Sequence, residues 1–202
     1  MLSRIQFESA AKAFGRRHPC WTWVDGHRAG YGYLTRSTNH SCNLSIGVAD
    51  SDWILLETEE VENDPATAVP NAPQANLAVV EYISFSASFS VPAFYFTVHD
   101  TTGSPSSLTD ILRSSLFKTK PPQNAQTTGF AVTLPSSPFP LLSQGEHPTL
   151  GTPCWYFHPC ESANAVGEFM AEEERADWTE EERDVRWLEL WLMVVGSVLR
   201  VD

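Results

Sequence analysis

Cysteine, positive charge and long apolar runs are all scarce in this chain of 202 residues, and each scarcity excludes something. Four cysteines, at positions 20, 42, 154 and 160, are too few for a disulfide scaffold in a chain of this length. Their spacing also lacks the paired Cys-x2-Cys of zinc sites, so Cys154, His158, Cys160, His40 and Cys42 make a poor ligand set and no metal is expected. Thirteen Lys and Arg against 25 Asp and Glu leave a formal charge of -12, which is repelled by nucleic acid and by anionic lipid. The longest apolar run, Trp187 to Val201, is interrupted by Glu189 and Arg200. It falls short of the roughly 20 apolar residues that span a bilayer, so no stable membrane anchor is expected. No signal-peptide-like apolar stretch follows Met1, and the expectation is a soluble intracellular protein with reduced thiols. Glycines are scattered, without a phosphate-binding loop, and no G-x-S-x-G elbow occurs. No cofactor is expected.

What is present is a pattern of α+β type. Phe7, Ala10, Ala11 and Phe14 recur at helical spacing, which predicts an N-terminal amphipathic helix. Strands are predicted at Cys20–Trp23, Tyr31–Thr35 and Trp53–Leu56. In Leu77–Val91, Ile83, Phe85, Ala87, Phe89 and Val91 alternate with polar residues, the period of an antiparallel strand with one core face. Pro92 ends that strand, and Ala93–His99 returns. Ser107-x-x-Asp110 caps a short helix. A last strand is expected at Pro153–His158, then a helix from Ser162 to about Met170. Thr179-x-x-Glu182 is a capping box for a terminal helix from about Glu180 to Leu199, with Val185, Leu188, Leu192, Val195 and Leu199 on its buried face. The whole reads as one domain over 1–202, with an acidic connector at 57–73 and a Pro/Ser/Thr/Gln-rich flexible surface insertion at 119–144. The acidic cluster Glu168–Asp184 reads as a solvated helical surface without catalysis.

Cys160 differs from the other cysteines in its context. It follows an aromatic strand and Pro159 and precedes a helix, where the helix dipole and free N–H groups favour thiolate, although Glu161 opposes this. Strand alternation puts Cys154, Tyr156 and His158 on one face and Trp155 and Phe157 on the other. On chemistry alone, Cys160 is either a nucleophile or a buried filler.

The segment Gly145-Glu146-His147-Pro148-Thr149-Leu150-Gly151-Thr152-Pro153, followed by Trp155-Tyr156-Phe157-His158-Pro159-Cys160, resembles the active-site segment of the autophagy-related protein 10 family. Glu81-Tyr82-Ile83 through Ser90-Val91-Pro92, with Phe94-Tyr95-Phe96, is similar to that family's central hairpin. Asp110-Ile111, Trp191-Leu192 and Val194-Val195-Gly196 agree with its later helices. The resemblance implies a variant ubiquitin-conjugating fold: a curved antiparallel sheet with an N-terminal helix and C-terminal helices. It implies that Cys160 accepts a modifier, autophagy-related protein 12, as a thioester from the activating enzyme, autophagy-related protein 7. The modifier then passes to a lysine of the target, autophagy-related protein 5. A cytoplasmic location follows, with recruitment to pre-autophagosomal structures left open.

The His-Pro-Asn of ordinary ubiquitin-conjugating enzymes is missing, as it is in the family. The positioning or oxyanion role therefore falls to another group. The candidates are His158 and Tyr82, with Asn164 as a third; the alternatives are a structural histidine and a packed rim tyrosine. A non-catalytic scaffold of the same fold, binding autophagy partners, is the competing function. The basic N-terminal region, six basic against two acidic residues through Arg36, is either a docking surface for an acidic partner or a solvated helix face.

Overall fold

The computed structural model describes residues 2–43, 74–135, 137–159, 162–173, 175 and 177–201. The strand expected at Trp53–Leu56, the acidic connector and Cys160 lie outside the described residues. Helix α1 (Arg4–Arg17) opens the chain, followed by β1 (Thr22–Val24), β2 (Tyr33–Asn43), β3 (Gln74–Ser86) and β4 (Val91–His99). Helix α2 (Leu108–Arg113) precedes β5 (Gln126–Thr127), β6 (Ala131–Thr133), β7 (Pro140–Glu146) and β8 (Pro153–Phe157). Helices α3 (Ser162–Glu173) and α4 (Glu180–Gly196) close it. The strands form a single sheet in the order β1-β2-β3-β4-β8-β7-β6-β5, with every pair antiparallel. The architecture is the α+β, ubiquitin-conjugating-like one that the resemblance implied.

The caps explain where the helices start. Ser3 and Gln6 form a capping box on α1, Thr179 and Glu182 another on α4, and the Ser107 hydroxyl accepts the Asp110 N–H on α2. Phe7, Ala10, Ala11 and Phe14 of α1 are buried, as their spacing predicts. In α4, Val185, Leu188 and Val195 are joined by Trp187, Leu190 and Trp191, while Leu192 is only partly buried. Helix α1 packs on α4, and both cover one face of the sheet through Leu34, Ile83, Phe94, Phe96 and Trp155. That face carries a buried ion pair: Arg36 Nε donates to Glu81 Oε2 at 2.5 Å, with Glu81 wholly buried and Thr38 Oγ1 donating to its other oxygen at 3.2 Å. The Arg36 guanidinium also lies over the Trp21 ring at 4.6 Å.

Two boundaries differ from the pattern reading. The central strand stops at Ser86, and residues 87–90 turn the chain, so Pro92 lies inside β4 opposite Phe85. The core face switches parity across the turn, from odd positions in β3 (Ile83, Phe85) to even positions in β4 (Phe94, Phe96), and Ser90, at φ 53°, marks the reversal. Segment 119–144, expected as a flexible insertion, carries β5, β6 and most of β7, with β7 pairing along all of β8. Backbone hydrogen bonding to an aromatic strand supplies an order that its Pro/Ser/Thr composition hides. The last two basic residues of α1 face acids of α4, Arg16 with Glu181 at 3.3 Å and Arg17 with Glu189 at 3.9 Å. Exposed pairs of this kind contribute little to stability.

Candidate active site

The face of the sheet away from α1 and α4 carries a row of tyrosines. Cross-strand pairing puts Tyr82 of β3 beside Tyr95 of β4, and Tyr95 beside Tyr156 of β8. Alternation places Cys154 and Tyr156 on this face and Trp155 and Phe157 on the core face. The loop between β7 and β8 folds over the row. Gly151, at φ +64°, takes the left-handed conformation that reverses the chain, and its N–H donates to the His147 carbonyl at 2.9 Å. Thr149 Oγ1 donates to the Tyr31 carbonyl at 2.6 Å and ties the loop to the segment before β2.

His147 sits at the centre of this arrangement, 1% exposed. Its ring meets Tyr33 at 4.9 Å, Tyr82 at 4.8 Å and Tyr95 at 5.5 Å between centroids. Its Nδ1 accepts the backbone N–H groups of Thr149 (3.2 Å) and Leu150 (3.1 Å), so the proton resides on Nε2. Nε2 has no hydrogen-bond partner among the described residues. Burial depresses the pKa to about 4, and the geometry agrees, because protonated Nδ1 would point a hydrogen at two donors. Burial raises the neighbouring phenols, Tyr82 upward and Tyr95 to about 12, so both are neutral O–H groups. The Thr97 hydroxyl, bonded to Tyr82, opposes part of the shift there.

One step beyond Tyr156, His158 leaves the sheet. Its N–H donates to the Leu141 carbonyl at 3.1 Å, and burial lowers its pKa. Phe139 stacks on the ring at 5.1 Å with 10° between planes, and Phe89 meets it edge-on at 5.0 Å and 70°. The chain then reaches Pro159, whose carbonyl accepts the Ser162 N–H at 3.2 Å and the Ser162 hydroxyl at 2.8 Å. That hydroxyl in turn accepts Nε1–H of the buried Trp191 at 3.2 Å. The strand exit and the start of α3 are thus latched to the core on either side of positions 160 and 161.

Tyr82 and His158 share one face but are not in contact. Tyr95 and Tyr156 stand between them, two strand spacings of about 4.8 Å each. Asn164 is exposed in the first turn of α3. Cys154 is buried against Ala93 and Tyr95, and its thiol is pushed up to about 12. Cys42 is buried on the core face, its thiol donating to the Asp110 carbonyl at 3.4 Å, while Cys20 is exposed. Cys154 and Cys42 thus lie on opposite faces of the sheet, and no group of three metal-ligating side chains occurs among the described residues. No helix among them is long and apolar enough to cross a membrane. The sequence shows His147 within its motif but gives it no role. A signal for it exists, since a His-Pro followed by Gly151 is a turn whose histidine points somewhere. Phe89 and Phe139 have no sequence signal, because each reaches His158 only through tertiary pairing.

The family model for the autophagocytosis-associated protein, active-site domain, matches residues 6–201. The chain belongs to this family. It is 23% identical over 192 residues to the ubiquitin-like-conjugating enzyme ATG10 of Homo sapiens, covering 90% of this chain and 79% of that protein. It is 28% identical over 125 residues to the ubiquitin-like-conjugating enzyme ATG10 of Dictyostelium discoideum, covering 59% of this chain and 49% of that one. Within the ATG10 family, the segment from Gly145 to the His-Pro-Cys lies well inside the matched span.

Proposed function

We propose that this member of the ATG10 family is a ubiquitin-like protein conjugating enzyme of autophagy with Cys160 as its thioester nucleophile. The observation that carries the reading is the family match across the active-site domain, with His158-Pro159-Cys160 at the exit of β8 in the Gly145–Pro153 context; the chain's other His-Pro-Cys, His18-Pro19-Cys20, follows α1 and lacks that context. Two of the other three cysteines are buried with raised thiols, and Cys20 lies beside α1 and α4, with Phe14, His18, Glu189 and Leu192, on the other side of the sheet from the tyrosines.

In the first step the Cys160 thiolate attacks the modifier's thioester on the activating enzyme, autophagy-related protein 7. A C–S bond forms to Cys160 and the activating enzyme's cysteine leaves as thiolate. In the second step an unprotonated lysine amine of the target, autophagy-related protein 5, attacks the same carbonyl. The C–N bond forms, the C–S bond breaks, Cys160 leaves as thiolate and the amine gives up a proton. The modifier is autophagy-related protein 12, delivered through its C-terminal glycine. Two jobs remain for this chain's polar groups: receiving that proton and stabilising the oxyanion. His158, two residues before Cys160, suits the first, because burial keeps its imidazole unprotonated at neutral pH. Tyr82, a neutral phenol on the same face, is the donor candidate for the second.

Incubation with activating enzyme, modifier and ATP tests the reading. The expected product is an adduct on Cys160 that reductant cleaves, converted by Cys160→Ser to a reductant-resistant ester or lost. A thioester that persists without Cys160 would refute it.

A further inference from the structure

Phe139 is 49% and Phe89 40% exposed, and they come from the β6–β7 loop and the β3–β4 turn, about fifty residues apart in the chain. Single exposed apolar side chains are ordinary. These two converge on one ring, His158, one by its face and one by its edge. The Leu141 carbonyl, two residues after Phe139, also holds the His158 main chain. Nδ1 of His158 is enclosed without a hydrogen-bond partner among the described residues.

We propose that Phe89 and Phe139 form an aromatic clamp that fixes the His158 imidazole for the transfer step, making both of them positioning residues. The inference rests on the conjugating-enzyme reading above. Two residues of chain span at most about 7 Å between Cα atoms, so His158 is necessarily near the nucleophile. An imidazole that takes the proton shed by the attacking amine needs an unprotonated nitrogen held in one orientation. Stacking restricts the ring's rotation, and two apolar side chains displace the water that would favour imidazolium. Burial of the ring lowers its pKa and so favours the neutral imidazole. Tyr156, 6.5 Å away, is the titratable side chain in ring contact with His158, and no charged group from the 87–90 turn, β7 or β8 acts on it among the described residues. The clamp also gives the segment 119–144 a role, since that segment delivers Phe139 to the histidine.

The test uses full-length protein charged with modifier on Cys160 and discharged in single turnover onto free lysine between pH 5.5 and 8.5. Phe139→Ala is expected to slow discharge roughly tenfold, within the range that one proton-transfer group supplies. It should also move the acid limb of the profile to higher pH, because a solvated His158 regains a higher pKa. Phe139→Tyr should restore both rate and profile. Phe89→Ala, at an exposed turn, should reproduce the shift in smaller degree and serves if Phe139→Ala does not fold. An NMR titration of the His158 ring should report the same upward movement without any activity. The clamp is overturned if discharge, profile and ring titration are all unchanged. It is also overturned if loading slows while discharge does not, since the rings would then be a docking surface. Wild-type protein that forms no Cys160 thioester would instead overturn the conjugating reading, and the inference with it.

Discussion

His147 should make the stability of this protein fall steeply in mild acid. In the folded chain its pKa is held at about 4, whereas an unfolded histidine titrates at its ordinary 6.5. A folded pKa below the unfolded one means that the unfolded chain binds the proton first. Stability is therefore full above pH 6.5, declines as pH falls between the two values, and levels off below about 4. At about 1.4 kcal/mol per pH unit the complete loss is about 3 kcal/mol, of which about 2 kcal/mol is gone by pH 5. The perturbation that isolates this is His147→Asn, whose amide oxygen can accept the Thr149 and Leu150 N–H groups but which does not titrate. Urea unfolding of both proteins at intervals from pH 7.5 to 4.5 is the assay. The variant should be less stable at pH 7.5, by about 2–3 kcal/mol for lost ring packing, and the gap should narrow as pH falls. Every other titrating group is common to both proteins and cancels in the difference. Parallel curves would refute the reasoning, as would an NMR titration that put His147 near 6.5.

Other positions give independent checks. Arg36→Met removes the cation from wholly buried Glu81 and should cost about 3–5 kcal/mol at pH 7.5, measured by urea unfolding. Burial already raises the Glu81 pKa, so the uncompensated carboxyl takes up a proton as pH falls, and the loss should be smaller at pH 5. Ser162→Ala strips the Trp191 indole of its acceptor and should cost about 1–3 kcal/mol in the same assay. In native protein Cys154 should resist a thiol reagent at pH 8, where Cys20 reacts, and Cys154→Ala should leave modifier loading intact.

Legibility follows the range of the interactions. The α1 stripe of Phe7, Ala10, Ala11 and Phe14 and the boxes at Ser3 and Thr179 are local, and a single sequence carries them. So is the alternation that sends Tyr156 outward and Trp155 inward. Strand β7 is hidden because its register comes from β8 rather than from its own Pro, Ser and Gly residues. Gly145, whose missing side chain leaves room for the Tyr156 ring, is a strand position that reads as a breaker from sequence. His147 lies between the two cases: its turn is local, but the tyrosines it packs against come from β2, β3 and β4. The site has the same division. His158-Pro159-Cys160 marks where chemistry is expected, while the rings that pack on its histidine arrive from a distant turn and a distant loop. A motif can name a reagent, but the solvent it reacts in is a property of the whole sheet. On that account substitutions at Phe139 and Phe89, silent to any motif, should alter the pH dependence of transfer while leaving the motif intact.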